Sequence, residues 1–408
     1  MRVLVVSPYP PKRDGIGEHT QKLVGALRAH PDIDVEVVTF CRPVADDPAR
    51  DAADGVHRLL SARPSALRST VAMMRHTRPD VVHFQFAIPA FGLAGFGAIA
   101  AGLWTRRRIG TRLVFTFHEA RREVELLRGV GRLLYRALVA IADGVVVHTE
   151  EVRDLVVGSF GADERVVWLT PLGAAPPAPE SVEPRVLDEV RRRYGLDERP
   201  FALCFGYLHP DKGIQYLVEA VARLQRRSGT NDCGLDVLVA GAVRPRAGLF
   251  RWFETKDHAY ELQLRNAVER HGLGDQVRFV GFVPHADVPA LYAAARVVVV
   301  PFITVTQSSV LSTATVVGVP VIASDLPGLR ETLGDGGILV PPRDPDALAD
   351  ALEAIASDDA LVGSLRNRQR RRGAMISLSN VASELVGIYD DLVSSTRSVD
   401  VQVALDGR

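Results

Sequence analysis

Three short segments of the sequence carry residues that could hold a phosphate group. Gly15 and Gly17 stand directly before a predicted helix, where bare backbone can approach an anion at the helix N-terminus. Lys212 begins a second predicted helix and supplies a mobile positive charge. Ser308, Ser309 and Val310 begin a third helix after an apolar strand. The unpaired amides and small side chains of this third segment would let a diphosphate come close.

Each segment also has an ordinary structural explanation. The glycines could form a simple turn, the lysine could be solvated at the surface, and the serines could only cap their helix. The spacing of Gly15 and Gly17 is not a dinucleotide fingerprint, because Thr20 stands where a third glycine is needed. What favours a ligand is that all three segments follow predicted strands, where open parallel sheets bind their ligands.

A histidine lies at the same kind of position. His118 and Glu119 end the strand "RLVFTFHE", so their side chains are expected to project from the carboxyl edge of a sheet. A lone histidine is more often structural, but this location favours a functional role. By contrast, His83 lies inside the strand "DVVHFQF", which favours a structural role, and His148 and His209 are not assigned.

The elements that must position these residues form a regular pattern. Short β-branched runs such as "RVLVV", "VEVVTF", "RLVFTF" and "GVVVHT" alternate with helical segments, and after a proline-rich stretch the alternation resumes with "FALCFGYL", "LDVLVAG" and "ARVVVVPF". Continuous apolar strands separated by helices are typical of parallel sheets covered on both faces. We therefore predict an α/β protein with two Rossmann-like, doubly wound domains that face each other across a cleft.

The predicted boundaries follow the changes in this pattern. They are a first domain at 1–175, a linker at 176–199, a second domain at 200–375 and a C-terminal helix at 376–408 that packs back toward the first domain.

Composition excludes some classes of protein. The 408 residues include 49 basic and 49 acidic side chains, so no net charge favours nucleic acid as a partner. The three cysteines lack the spacing of a metal site, and the N-terminus fits a core strand better than a signal peptide. These features predict a cytoplasmic protein.

One apolar stretch raises the question of a membrane. The segment from Ala87 to Trp104 contains 18 residues, but it is rich in glycine and alanine and includes a proline, which favours a buried helix over a membrane span. Arg106 to Arg108 follow it, and Arg121, Arg122, Arg128 and Arg132 come soon after. This combination could bring a helix of the first domain to anionic lipid at the inner face of the membrane. A solvated face beside a core helix is the alternative.

Together these segments resemble the retaining glycosyltransferases of family 4, which have the two-domain GT-B fold. The resemblance spans nearly the whole chain and is carried by "DGIGEHT", "DVVHFQF", "FTFHE", "ADGVVVHTEEV", "FGYLHPDKG", "VRFVGFVPHADVPALYAAA", "GVPVIASDLPGLRE" and "GILVPPRDPDALADAL". It implies transfer of a sugar from a nucleoside diphosphate sugar to a hydroxyl or amine, with retention of configuration, without a metal ion and without a further cofactor.

The resemblance also implies roles for particular residues. His118 would lie beside the transferred sugar, and Lys212 would stabilise the departing diphosphate; these are the expected catalytic residues. The residues expected to bind the donor are Gly15, Gly17, Tyr207, Lys212, Val283, Gln307, Ser308, Ser309, Val310 and Thr313. Tyr207 departs from the family, because it occupies the position of an arginine. Acceptor contacts are expected from first-domain loops, including the region from Arg42 to Ser69.

A second departure concerns two glutamates that members of the family commonly carry. Counting from Pro301 and from Gly318 places Val305 and Thr313 at these positions, so both carboxylates are absent. Threonine could keep a weakened contact with the ribose, and Gln307 could replace part of the sugar recognition. Two alternatives therefore stay open: a catalytically silent or regulatory nucleotide-sugar binder, and a GT-B enzyme that couples a sugar-like cyclitol.

Overall fold

The computed structural model describes residues 1–11, 15–41, 54–177, 182–196, 199–229, 234–244 and 251–406. The chain folds into two compact units. One consists of Met1–Pro171 together with Leu378–Arg408, and the other of Leu172–Ser377.

The first unit is built on a seven-stranded parallel sheet with the order β3-β2-β1-β4-β5-β6-β7. Its strands are β1 Arg2–Val6, β2 Asp34–Phe40, β3 Val56–Leu60, β4 Val81–Phe86, β5 Arg112–Phe117, β6 Gly144–Val147 and β7 Val167–Leu169. Its helices are α1 Gly15–Arg28, α2 Pro64–Thr77, α3 Ile88–Ile109, α4 Ala120–Ile141, α5 Glu150–Gly158 and, from the end of the chain, α14 Leu378–Asp406.

The second unit is built on a six-stranded parallel sheet with the order β10-β9-β8-β11-β12-β13. Its strands are β8 Phe201–Phe205, β9 Asp236–Ala240, β10 Val277–Gly281, β11 Val297–Val300, β12 Val321–Ser324 and β13 Gly337–Val340. Its helices are α6 Pro184–Arg193, α7 Ile214–Ser228, α8 Arg251–Arg270, α9 Val288–Ala294, α10 Ser309–Val317, α11 Pro327–Leu333, α12 Pro345–Ser357 and α13 Asp359–Met375.

The central strands are apolar because helices cover both of their faces. In β1, Leu4 and Val6 belong to one core cluster while Val3 and Val5 belong to another on the opposite side. The second cluster includes the apolar face of α14, from Leu378 to Leu392. The C-terminal helix is therefore one of the layers that enclose the first sheet.

The predicted fold class is confirmed for each unit: both are parallel, doubly wound α/β sheets. The predicted linker at 176–199 contains α6, which lies in the second unit. Val190 of this helix is buried in the core cluster of the second unit, and its neighbour Val186 packs against the same cluster. The C-terminal helix begins at Leu378 and belongs to the first unit. Residues 42–53 of the expected acceptor region lie outside the described residues.

The apolar stretch from Ala87 to Trp104 falls mainly on α3. Within the described ranges, no helix is both long enough and apolar enough to cross a membrane. The end of this helix is not an apolar surface either, since Trp104 is half-buried with the guanidinium of Arg75 5.7 Å from its ring centre. Arg106 pairs with Asp143 at 3.1 Å.

Candidate functional site

The first unit holds the predicted histidine at the carboxyl edge of its sheet. His118 directly follows β5 and is only 3% exposed. Its Nε2 lies 2.7 Å from Oε1 of Gln85, which belongs to the neighbouring strand β4. An amide oxygen only accepts hydrogen bonds, so Nε2 of His118 carries a proton and donates it to Gln85.

The hydrogen bond of His118 is the end of a longer buried chain. The amide nitrogen of Gln85 lies 3.3 Å from Nε2 of His83, and Oγ1 of Thr116 lies 2.7 Å from the same nitrogen. His83 Nε2 therefore accepts, and its Nδ1 donates to the hydroxyl of Tyr389 at 2.5 Å. Tyr389 lies on the C-terminal helix, so the orientation of His118 is coupled to the far end of the sequence.

Three imidazoles meet at this edge. The ring centre of His118 lies 5.0 Å from that of His148 and 6.0 Å from that of His19, and the last two are 6.4 Å apart. Burial lowers the pKa of His118 well below its usual range, and it lowers the pKa of His19 to about 3 and of His148 to about 4. All three are uncharged at neutral pH, so this histidine cluster offers hydrogen bonds and not a positive charge.

Sequence reasoning did not assign His19 or His148. His19 lies in the predicted glycine loop, and His148 follows β6 just as His118 follows β5. Nδ1 of His148 donates to the carbonyl of Thr170 at 2.7 Å, while its Nε2 is buried without a hydrogen-bond partner among the described residues. His118 and His148 each follow one of two neighbouring strands, and this shared position was the signal that could have identified His148.

The two glycines of the first loop play different roles. A Cβ at Gly17 would lie 3.2 Å from the carbonyl carbon and oxygen of Pro8, so α1 starts in close contact with the chain that leaves β1. A Cβ at Gly15 would meet nothing within 4 Å, and Gly15 is exposed at the first residue of the helix. Gly17 is thus required by packing, whereas a Cβ at Gly15 would make no close contact.

In the second unit, Lys212 lies where the loop after β8 meets the end of β11. Its Nζ is 3.7 Å from the ring centre of Phe302. The backbone at Gly213 lies so close to that of Pro301 that a Cβ at Gly213 would overlap the carbonyl oxygen of Pro301. In addition, the amide of Ile303 donates to the carbonyl of Asp211 at 2.8 Å. These contacts bring the lysine from one loop next to the strand that leads into α10.

The start of α10 has unused donors. Ser308 is the N-cap, and its side chain accepts a hydrogen bond from the amide of Leu311 at 3.3 Å. Over the described ranges no acceptor is found for the amides of Ser309 and Val310, and Ser309 is exposed. Both the capping and the anion-binding explanations of this segment thus fit, because the cap uses one amide and leaves two for an anion.

The two positions without glutamate, Val305 and Thr313, carry no charge. Val305 is half-buried against the core, and Val283 is 4% exposed in the same cluster, so only its backbone could contact a ligand. The hydroxyl of Thr313 donates to the carbonyl of Ser309 at 2.8 Å, which leaves its lone pairs to accept from a ribose hydroxyl. Gln307 is half-buried directly before the N-cap.

No group of three or more His, Cys, Asp or Glu side chains in the described part of the chain could hold a metal ion. The donor set of the two edges consists instead of backbone amides, one ammonium, hydroxyls and neutral imidazoles. Such groups recognise phosphate and hydroxyl oxygens.

Two family models match the chain. Residues 187–374 match the model described as glycosyl transferases group 1, and residues 14–173 match a glycosyl transferase 4-like domain.

Similar sequences include the alpha-D-kanosaminyltransferase of Streptomyces kanamyceticus, with 31% identity over 50% of this chain and 49% of the relative. The D-inositol 3-phosphate glycosyltransferase of Corynebacterium kroppenstedtii is 29% identical over 64% of this chain and 56% of the relative. The chain therefore spans about half the length of these relatives. A protein of the same description from Salinispora arenicola is 27% identical, over 89% of this chain and 84% of the relative.

Similar solved structures share the fold. Sucrose-phosphate synthase from Thermosynechococcus elongatus superposes with a TM-score of 0.72 at 24% identity, covering 97% of this chain and 100% of the other. HepE of Anabaena, solved with UDP and glucose, superposes with a TM-score of 0.71 at 16% identity, covering 95% of this chain and 98% of the other.

Proposed function

Because the chain belongs to the glycosyltransferases with the GT-B fold, we propose that it transfers a sugar from a nucleoside diphosphate sugar to a hydroxyl or amine acceptor. The observation that carries the donor class is the edge of the second sheet, where the amides of Ser309 and Val310 lack an acceptor among the described residues. Lys212 contributes an ammonium to the same edge, beside Phe302. Amides at a helix start together with a nearby cation suit a diphosphate.

The proposed reaction breaks the bond between the anomeric carbon and the phosphate oxygen. The departing diphosphate gains negative charge, which the amides at the start of α10 and the ammonium of Lys212 stabilise where it develops. The acceptor oxygen or nitrogen forms the new bond to the anomeric carbon and passes its proton to the leaving phosphate. Transfer proceeds with retention of configuration and needs no metal ion, since protein groups supply the positive charge.

His118 acts in this proposal as a neutral group that orients a sugar hydroxyl. Burial keeps its pKa well below the usual range, so it does not serve as a cation for the diphosphate. The chain of hydrogen bonds through Gln85 and His83 holds the ring in one orientation.

A uridine nucleotide is the first donor to test. Solved structures of HepE contain UDP or UDP-glucose. A thermal-shift screen of UDP, GDP and dTDP with their sugars should show selective stabilisation by one base. Lys212→Met, which keeps the aliphatic length, should lose most of this stabilisation; an equal response of both proteins would contradict the phosphate site.

An assay of nucleotide release distinguishes a glycosyltransferase from a catalytically silent nucleotide-sugar binder. Incubation with the stabilising nucleotide sugar and a panel of hydroxyl and amine acceptors, including cyclitols, should release nucleotide and give a product of raised mass. Proton NMR of the product then gives the anomeric configuration. Binding without any nucleotide release would favour the silent binder, for which Tyr207, Val305 and Thr313 are the motivating residues.

The setting proposed for this reaction is the cytoplasm, with peripheral contact to an anionic membrane surface through α4. This helix has a break at Arg128, where φ is 49°, and around it Leu126, Val130 and Leu133 are exposed by 77%, 74% and 70%. Arg132 is exposed beside them on the same helix.

The charges on α4 complement an anionic bilayer. Among the described residues no carboxylate lies within 4.0 Å of Arg128, Arg132 or Arg136, so these side chains are available to lipid phosphates. The apolar side chains would enter the interface while the arginines stay at the headgroups.

Sedimentation with vesicles tests this contact. Binding is expected to vesicles rich in phosphatidylglycerol and not to pure phosphatidylcholine, and it should weaken with salt. Leu126→Ser with Leu133→Ser should abolish it, whereas Leu262→Ser, at a residue 60% exposed in the second unit, should not. Self-association in size-exclusion chromatography without vesicle binding would instead assign the patch to a second copy of the chain.

A further inference from the structure

A second cationic side chain, Arg244, lies near the carboxyl edge of the second sheet, and it comes from a different loop than Lys212. The guanidinium carbon of Arg244 lies 5.7 Å from the ring centre of Tyr207. Tyr207 belongs to the loop after β8, and Arg244 follows β9. Both residues are half-buried, so each is held by the protein and still reaches its surface.

The two loops are held together by their backbones. Gly206 donates to the carbonyl of Ala240 at 3.0 Å, and Leu208 donates to that of Ala242 at 3.1 Å. A Cβ at Gly241 would overlap the carbonyl oxygen of Gly206, so the chains run in direct contact. The position of Arg244 over Tyr207 is therefore set by packed backbone.

The same loop touches the diphosphate-binding groups on its other side. In the sheet, β8 lies between β9 and β11. A Cβ at Gly206 would lie 3.6 Å from Cγ2 of Val310, in the first turn of α10. The loop after β8, which includes Lys212, thus has Arg244 on one side and the free amides of α10 on the other.

A diphosphate carries more than one negative charge, and Lys212 alone would leave part of it unneutralised. Tyr207 cannot supply a cation, but its ring face can stack against a guanidinium and hold it in place. We propose that Arg244 binds the diphosphate of the donor as the second cation of the site, with Tyr207 as the platform that positions it. This inference rests on the proposed function and adds a donor-binding residue to it.

Isothermal titration with UDP and GDP tests the role of Arg244. Arg244→Gln keeps a planar polar group but removes the charge, and it should weaken binding of the preferred nucleotide by about tenfold or more. Arg244→Lys should retain part of the affinity. Arg265→Gln is the matched control, because Arg265 also stands over an aromatic ring, that of Phe279 at 4.8 Å, on the outer helix α8.

Tyr207 provides a rescue experiment. An arginine introduced at position 207 would start from the same loop as Lys212, so Tyr207→Arg should restore nucleotide affinity to Arg244→Gln. Tyr207→Phe keeps the ring face and should retain most of the affinity, whereas Tyr207→Ala should weaken binding more strongly. The salt dependence gives a further readout, because loss of a phosphate contact should lower the slope of log Kd against log salt.

The possible outcomes separate the two proposals. If Lys212→Met loses affinity while Arg244→Gln binds like the wild type, the role of Arg244 is overturned and the diphosphate site stands. If the wild type binds neither nucleotides nor nucleotide sugars, both proposals fail. Melting temperatures without ligand show whether a variant is folded, and Arg244→Lys retains both the charge and the aliphatic stem.

Discussion

Nδ1 of His83 lies 2.5 Å from the hydroxyl of Tyr389, which is 306 residues further along the chain. Both side chains are fully buried, so neither can turn to water if the other is removed. Through Gln85, this contact extends to His118 at the carboxyl edge of the sheet. The C-terminal helix α14 therefore takes part in orienting His118.

Tyr389→Phe should destabilise the first unit. The substitution leaves the buried N–H of His83 without its acceptor, which costs about 1–3 kcal/mol of unfolding free energy. Urea unfolding followed by tryptophan fluorescence measures the change. Tyr216→Phe, at a half-buried tyrosine of the second unit, is expected to stay within about 0.5 kcal/mol of the wild type. An equally small effect at Tyr389 would contradict the coupling.

The two glycines of the first loop should respond differently to alanine. Gly17→Ala places a methyl group 3.2 Å from the backbone of Pro8, and overpacking of this kind costs about 1–3 kcal/mol. Gly15→Ala meets nothing within 4 Å, so its stability should equal or slightly exceed that of the wild type. Thermal unfolding of both variants distinguishes them, and the reverse ranking would show that α1 starts differently.

The histidine cluster should make stability depend on pH. The folded pKa of His148 is lowered from 6.5 to about 4, so between these values the unfolded chain binds more protons than the folded one. Stability contributed by the neutral ring is present above pH 6.5 and is lost as the pH falls toward 4, with a slope of up to about 1.4 kcal/mol per pH unit for one histidine.

Glu123 acts in the opposite direction. Burial raises the pKa of its carboxyl to about 7, so its contribution to stability is lost as the pH rises from 4.5 through 7. Because the two groups act in opposite directions, the pH dependence of the urea midpoint must be compared between variants and the wild type. His148→Gln should reduce the fall of the urea midpoint below pH 6.5. His76→Gln, at an exposed position on α2, should leave this fall unchanged. Parallel profiles for His148→Gln and the wild type would refute the assignment.

Thr313→Val should weaken ribose recognition selectively. The hydroxyl of Thr313 donates to Ser309, so only its lone pairs can accept from the ribose. Loss of one such hydrogen bond should lower UDP affinity by about two- to tenfold and leave that of 2′,3′-dideoxy-UDP unchanged. Thr332→Val removes an equivalent hydroxyl, bonded to Gly328 at 2.9 Å on α11, and serves as the control in titration calorimetry.

Much of the fold could be predicted from the sequence, because continuous apolar strands such as Val297–Val300 have few other stable environments than a sheet covered on both faces. The helix start at Ser309 and the strand end before His118 were found in the same way, from the place where an apolar run stops. The helix Pro184–Arg193 was assigned to a linker, because the neighbouring prolines resemble one, while the burial of Val190 depends on residues distant in sequence.

The parts of the site that depend on tertiary contacts could not be predicted. Nothing in the local pattern places Arg244 over Tyr207, since the contact follows from strand order and not from spacing. The chain from Tyr389 to His118 likewise joins three distant segments. The exposed apolar side chains of α4 could not be predicted for the same reason, since the local pattern does not show the break at Arg128 beside Leu126 and Val130.

The return of the last helix to the first sheet has a consequence for biosynthesis. The sheet face formed by Val3, Val5 and Val114 is closed by residues from Leu378 onward, which leave the ribosome only after the whole second unit has been made. During translation the second unit can complete its own core while the first still exposes an apolar face. The nascent first unit therefore keeps this apolar face uncovered until the residues from Leu378 onward have been synthesised.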